Sequence, residues 1–61
     1  MDLNDKVVVV TGAGRGLGRA IAENLAGQGA RIACVDLNEE DLRDTVARCE
    51  GAGGEAKSYL A

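Results

Sequence analysis

Four consecutive valines lead directly into a turn in which every second residue is glycine. The valines are Val7 to Val10, and the glycines are Gly12, Gly14, Gly16 and Gly18. An unbroken run of β-branched residues, rather than an alternating pattern, is typical of a strand buried on both faces of a parallel sheet. Glycine lets the backbone adopt positive φ and approach a ligand closely. The feature therefore predicts a buried strand that ends in a turn built for close contact.

Strands and helices alternate along the rest of the chain. Residues 6–11, 31–36 and 56–60 predict three strands, and helical periodicity lies between them. This alternation is typical of an α/β protein with a parallel sheet and right-handed crossovers. If the strands lie in sequence order, both crossover helices pack on the same face of the sheet. The other face would be bare, so we expect the chain to be part of a larger protein or to pair with another polypeptide.

The two predicted helices carry different signals. In the first, Leu17, Ile21 and Leu25 recur every four residues, and neighbouring alanines would let the helix lie close to a sheet. Gly29 is its expected C-terminal cap. The second helix is expected to start after the N-cap Asn38, with acidic residues in its first turn. Its apolar stripe is formed by Leu42, Val46 and Cys49.

Composition argues against several classes of function. The 61 residues carry a formal net charge of −3 and no basic run, which argues against nucleic-acid binding. No apolar stretch approaches the roughly 20 residues of a membrane span, and the polar start of the chain does not resemble a signal peptide. Two cysteines and no histidine predict neither a disulfide framework nor a metal site. We expect a cytoplasmic protein with reduced thiols.

The segment from Thr11 to Gly18 is the candidate binding motif. It follows a predicted strand and opens a helix, whose N-terminal N–H groups and partial positive charge suit a diphosphate. The general pattern G-x-G-x-x-G does not fit, because Leu17 or Arg19 stands where its last glycine would be. The pattern T-G-x-x-x-G-x-G does fit, with Thr11, Gly12, Gly16 and Gly18 in its fixed positions. With this motif in this context, the chain resembles the short-chain dehydrogenase/reductase family.

The resemblance implies a doubly wound, Rossmann-type α/β fold, of which residues 1–61 would be the N-terminal β-α-β-α-β part of a single dinucleotide-binding domain. It implies a parent enzyme, a homo-oligomer, that interconverts a carbonyl and a secondary alcohol with a nicotinamide cofactor. The sequence looks most similar to the subgroup of 3-oxoacyl-carrier-protein reductases and related sugar or alcohol dehydrogenases. The predicted cofactor-binding residues are Gly12, Ala13, Gly14, Arg15, Gly16, Leu17, Gly18, Asp36 and Leu37.

The choice between NAD and NADP depends on two residues of opposite charge. Asp36 ends the second strand, 24 residues after Gly12, where a carboxylate hydrogen-bonds the ribose hydroxyls of NAD and repels a 2′-phosphate. The alternative for Asp36 is an ordinary turn aspartate. Arg15 stands where similar family members that use NADP often carry a basic residue, and a guanidinium can neutralise a phosphate. We predict NAD(H), with NADP(H) left open by Arg15.

The catalytic residues that the resemblance implies are a Tyr-x-x-x-Lys pair with a serine and an asparagine, and they have no match here. Tyr59 is followed by only two residues, so it cannot open such a motif. We assign no catalytic residue and expect that the chain alone cannot transfer hydride. Two alternatives stay open. One is a non-catalytic nucleotide-binding or interaction module that completes its sheet with another chain. The other, less well supported, is a Rossmann methyltransferase, whose cofactor lacks a pyrophosphate.

Overall fold

The fold is a three-stranded parallel sheet with two helices on one of its faces. In this computed structural model the described residues are 3–61, so Met1 and Asp2, which begin the polar N-terminal segment, lie outside them. The elements occur in the predicted order: β1 (Val7–Thr11), α1 (Gly16–Gly27), β2 (Arg31–Asp36), α2 (Glu39–Gly51) and β3 (Glu55–Leu60). Within these residues β2 lies between β1 and β3, and both pairings are parallel.

Two strand boundaries differ by one residue from the prediction. β1 begins at Val7, because Lys6 closes a turn in which its N–H donates to Leu3 O at 3.0 Å. β3 begins at Glu55, one residue earlier than predicted. Arg31 of β2 lies opposite both Val7 and Glu55, and its guanidinium pairs with Glu55 at 3.4 Å. The boundaries of the strands are thus set by pairing with the neighbouring strand, and not by where the run of apolar residues starts or stops.

Both helices cover the same face of the sheet, as predicted. Val10, Ile32 and Cys34 point to this face and are buried. On the opposite face Val7 and Val9 are 68% and 64% exposed. β1 therefore carries apolar side chains on both faces of the sheet, and the described residues cover one of these faces.

The core is assembled from small side chains. Of the nine buried hydrophobic residues within 3–61, four are alanines and two are cysteines. Ala22 and Ala26 bring α1 close to the strands. At Gly54 a Cβ would lie 2.7 Å from the Cβ of Ala26 and 2.6 Å from its carbonyl oxygen. Short side chains therefore set the distance between the helices and the sheet.

The apolar stripe predicted for α1 is only partly buried in the structure. Leu25 is half-buried, but Leu17 and Ile21 are 76% and 42% exposed. Ala22 and Ala26 take the sheet-facing positions because the alanine side of the helix permits the closer approach. In α2 the predicted stripe holds, with Leu42 and Cys49 buried and Val46 partly buried.

Both helices end in Schellman motifs, which satisfy the last carbonyl groups. After α1, Gly29 has φ +94° and its N–H donates to Ala26 O at 3.0 Å, while the Ala30 N–H donates to Leu25 O at 3.2 Å. This is the cap predicted from Gly29. Across residues 3–61, no helix is long and apolar enough to span a membrane.

Candidate functional site

The four alternating glycines sit at the carboxyl end of β1, and they serve two separate purposes. Gly12 and Gly16 have φ of +65° and +62°, and a Cβ at either position would meet nothing within 4 Å. Glycine is needed there for its backbone conformation, and the side of the turn it faces is open. At Gly18 a Cβ would run into the Gly12 carbonyl group, and at Gly14 it would lie 2.6 Å from Asp36 Oδ2. Those two glycines allow tight packing of helix, turn and β2.

The N-terminus of α1 has no side-chain capping hydrogen bond among the residues that the structure describes. Its N-cap residue Arg15 makes no side-chain hydrogen bond to the helix, and the first turn holds no acidic residue. In α2, by contrast, Asn38 Oδ1 accepts a hydrogen bond from the Asp41 N–H at 2.9 Å, and the first turn is acidic. The first N–H groups of a helix and its dipole together attract anions. α1 therefore offers this capacity to a ligand, whereas α2 uses it internally.

Asp36 joins the end of β2 to the glycine turn. Its Oδ2 accepts a hydrogen bond from the Gly14 N–H at 2.8 Å, and its Oδ1 accepts one from the Leu37 N–H at 2.6 Å. These bonds, the Leu37 one first and the Gly14 one second, hold the pKa of Asp36 below its usual value, and the nearby charge of Arg15 adds to the effect. Two carboxylate oxygens offer about four lone pairs, so the ionised group keeps acceptor capacity for a further donor.

The structure brings the predicted binding residues into one region with two layers. Gly12, Arg15, Gly16, Leu17 and Leu37 are exposed, while Gly18 and Asp36 are half-buried. Ala13 and Gly14 are buried on the inner side of the turn, where the Ala13 N–H donates to Val35 O at 3.1 Å. Their contact with a ligand remains a prediction.

Sequence reasoning missed one residue of this region, Thr45. It is the buried polar side chain of the core, fully enclosed, and its hydroxyl donates to Ala13 O at 2.7 Å. The signal was present in the spacing: Leu42, Thr45, Val46 and Cys49 share one helical face. A polar residue on an apolar stripe indicates a buried hydrogen bond.

Cys34 and Cys49 are free, buried cysteines. Burial, foremost, raises the pKa of both thiols, that of Cys49 to about 11. Both belong to the hydrophobic core.

An uncapped helix after a strand of a parallel sheet, an open glycine turn and a carboxylate at the end of the neighbouring strand define the nucleotide-binding half of a Rossmann-type protein. The comparisons agree. The chain belongs to the short-chain dehydrogenase family, whose sequence model, described as "short chain dehydrogenase", matches residues 6–61.

Two curated relatives and two solved structures illustrate the similarity. A short-chain reductase, NovJ of Streptomyces niveus, is 51% identical over 53 residues, covering 87% of this chain and 20% of the relative. The 2,3-dihydro-2,3-dihydroxybenzoate dehydrogenase of Bacillus subtilis strain 168 is 41% identical over 59 residues, covering 97% of this chain and 23% of the relative. The chain thus spans about a fifth of their length.

The structures match over nearly the whole chain. NAD⁺-bound xylitol dehydrogenase superimposes with a TM-score of 0.90 at 44% identity, covering 97% of this chain and 23% of that one. A metagenomic short-chain oxidoreductase in complex with NADP gives 0.94 at 43% identity, covering 100% of this chain and 28% of that one. The β-α-β-α-β arrangement is therefore that of Rossmann-type short-chain dehydrogenases.

Proposed function

We propose that this segment binds the adenosine diphosphate part of a nicotinamide dinucleotide in a short-chain oxidoreductase. The observation that carries the proposal is the uncapped N-terminus of α1 beside two positive-φ glycines whose open side has no protein atom near it. A diphosphate fits this site chemically, because it accepts hydrogen bonds from backbone N–H groups and is favoured by the positive end of the helix dipole. The family relationship and the cofactors named for the two solved structures support the same assignment.

The residues of the chain would divide the work as follows. Backbone groups of Gly12, Gly16, Leu17 and Gly18 face the diphosphate, Ala13 and Gly14 support the turn from within, and Asp36, Leu37 and Arg15 surround the ribose. The open side of the turn would exclude water when the cofactor lies against it. When bound, the nicotinamide ring supplies or accepts the hydride. The proposed reaction of the parent enzyme is the interconversion of a carbonyl and a secondary alcohol.

We propose NAD(H) over NADP(H). Asp36 is ionised, and hydrogen bonds from two backbone N–H groups hold its carboxylate in place. A 2′-phosphate beside it would therefore be repelled by a fixed negative charge. Arg15 lies close enough to affect the pKa of Asp36, and its charge offsets part of that repulsion. The related structures include one with NAD⁺ and one with NADP. The proposal of NAD(H) therefore rests on the charges of Asp36 and Arg15 in this chain.

The finer features of the parent are also proposals. The resemblance supports catalytic Tyr-x-x-x-Lys residues outside this segment, a homo-oligomer and a 3-oxoacyl-carrier-protein reductase-like subgroup. The subgroup rests on the overall sequence alone, because the relatives named above carry other names. A cytoplasmic location, expected from the sequence, is a proposal of the same kind.

The test is a titration of the full-length protein with NADH, NADPH and ADP. We expect NADH to bind more tightly than NADPH, and ADP to bind because it carries the diphosphate and the adenosine ribose. In the Asp36→Asn variant we expect the difference between NADH and NADPH to shrink, since the fixed negative charge is gone. Tighter binding of NADPH by the unmodified protein would overturn the NAD assignment, and failure to bind any of the three would overturn the proposed function.

A further inference from the structure

Thr45 of α2 reaches the glycine turn from the interior of the protein. The residue is fully buried. Its hydroxyl oxygen lies 2.7 Å from Ala13 O and 3.2 Å from Gly14 O, so its single hydrogen is shared between the two carbonyls with Ala13 as the closer acceptor. Burying a hydroxyl destabilises the fold unless the group is hydrogen-bonded. The Thr45 hydroxyl donates its hydrogen only to carbonyl groups of the turn.

The peptide group between Ala13 and Gly14 is held at both of its ends. Its carbonyl oxygen accepts from Thr45, and its N–H donates to Asp36 at 2.8 Å. Because a trans peptide is planar, its C=O and N–H point in opposite directions. Thr45 and Asp36 therefore act on one rigid unit, and rotation of that unit would break both hydrogen bonds.

The next peptide group carries the effect toward the helix N-terminus. The Gly14 carbonyl also points to Thr45, so by the same planarity the Arg15 N–H points away from α2. Arg15 is the N-cap of α1 and is exposed. The hydroxyl of Thr45 thus fixes the direction of a backbone donor on the outer side of the turn, although Thr45 itself has no access to that side.

We propose that Thr45 is a positioning residue for the dinucleotide site: its hydroxyl sets the orientation of the Ala13–Gly14 and Gly14–Arg15 peptides and thereby the affinity for the diphosphate. This inference rests on the proposed function. Thr45 contacts no part of the ligand and acts through the turn and through Asp36.

The experiment compares three variants of the full-length protein. Thr45→Val replaces the hydroxyl by a methyl group of similar size, and Thr45→Ser keeps the hydroxyl. Cys49→Ala is the control, because Cys49 is equally buried one turn further along α2, with its thiol against Cys34 rather than the turn. Dissociation constants for NADH and for ADP are measured by calorimetry, and Tm is measured without ligand.

We expect Thr45→Val to weaken both NADH and ADP about tenfold, the scale of one lost hydrogen bond whose partner stays buried. The serine variant should bind within about threefold of the unmodified protein, since its hydroxyl can donate to the same carbonyls. Cys49→Ala should lower Tm and leave both dissociation constants unchanged. If the valine variant does not fold, Thr45→Ala takes its place, with the same expected order.

Two results would overturn the inference while leaving the proposed function intact. One is a hydroxyl-free variant that binds NADH and ADP as tightly as the unmodified protein. The other is an equal loss of affinity in Thr45→Val and Cys49→Ala, since the loss would then follow stability rather than the hydroxyl. If the unmodified protein binds neither ligand, the proposed function fails and the role of Thr45 fails with it.

Discussion

Replacing Gly18 by alanine would push the first turn of α1 away from the glycine turn that follows β1. The added Cβ would lie 2.7 Å from the carbonyl carbon of Gly12 and 3.2 Å from Ala13 Cα, and closer still to the Gly12 oxygen. These are backbone atoms, so no side chain can move aside. Restoring an ordinary contact of 3.4 Å to the carbonyl carbon alone requires the helix start and the turn to separate by about 0.7 Å, and the closer oxygen requires more.

That displacement has two separate costs. Overpacking of this kind destabilises by about 1–3 kcal/mol, partly offset by the roughly 1 kcal/mol that alanine gains over glycine inside a helix. A shift of about 0.7 Å also stretches a hydrogen bond of about 2.9 Å beyond the useful range. We therefore expect net destabilisation of up to about 2 kcal/mol and at least a tenfold weaker affinity for NADH.

Two other glycines provide matched controls for Gly18→Ala. Gly54→Ala meets Ala26 at 2.6–2.8 Å, far from the turn, so it should destabilise the protein without changing NADH affinity. Gly51→Ala meets nothing within 4 Å and should be neutral or slightly stabilising. The assay is a fluorescence titration with NADH beside a thermal melt of each full-length variant. If Gly18→Ala bound NADH as tightly as Gly54→Ala, the reasoning about the helix start would be refuted.

Two further predictions concern titratable groups. The depressed pKa of Asp36 means that its stabilising hydrogen bonds are fully present above its ordinary value of 3.8 and are lost as the pH falls through the lowered pKa. The unmodified protein should therefore be more stable than Asp36→Asn in urea denaturation at neutral pH, and the two should converge as the pH falls below 3.8 and through the lowered pKa; a gap of constant size would contradict this. The raised pKa values of Cys34 and Cys49 predict that neither thiol reacts with an aromatic disulfide reagent at about pH 8 until denaturant is added. Rapid labelling of these two thiols in the native protein would show that the core opens.

Features encoded by a few adjacent residues could be predicted from the sequence. Asn38 caps α2 and Gly29 ends α1 because an Asx side chain and a left-handed glycine act on their own neighbourhood. The parallel order of the strands followed from their alternation with helices. The glycine motif located the turn, which the structure divides into glycines needed for conformation and glycines needed for packing.

Features that depend on which surfaces meet could not be predicted in the same way. Leu17 and Ile21 have the spacing of a buried stripe, yet α1 turns its alanines to the sheet. The loop residue Gly54, just before β3, lies so close to Ala26 that it leaves room only for a short side chain. Thr45 was missed for a related reason. Helical periodicity is recognised from hydrophobic residues, so a polar threonine interrupts the apolar pattern. Thr45 nevertheless lies on the buried face of α2, because its hydroxyl hydrogen-bonds a turn that is distant in sequence.

The position of β1 at one edge of the described sheet affects how this segment behaves when it is produced alone. Its outer backbone groups have no partner strand among residues 3–61, and Val7 and Val9 expose their side chains beside them. An open edge with a β-branched, uncharged sequence is a template for pairing between chains. A preparation limited to these residues should therefore self-associate through β1, and a lysine in place of Val9 should raise its solubility.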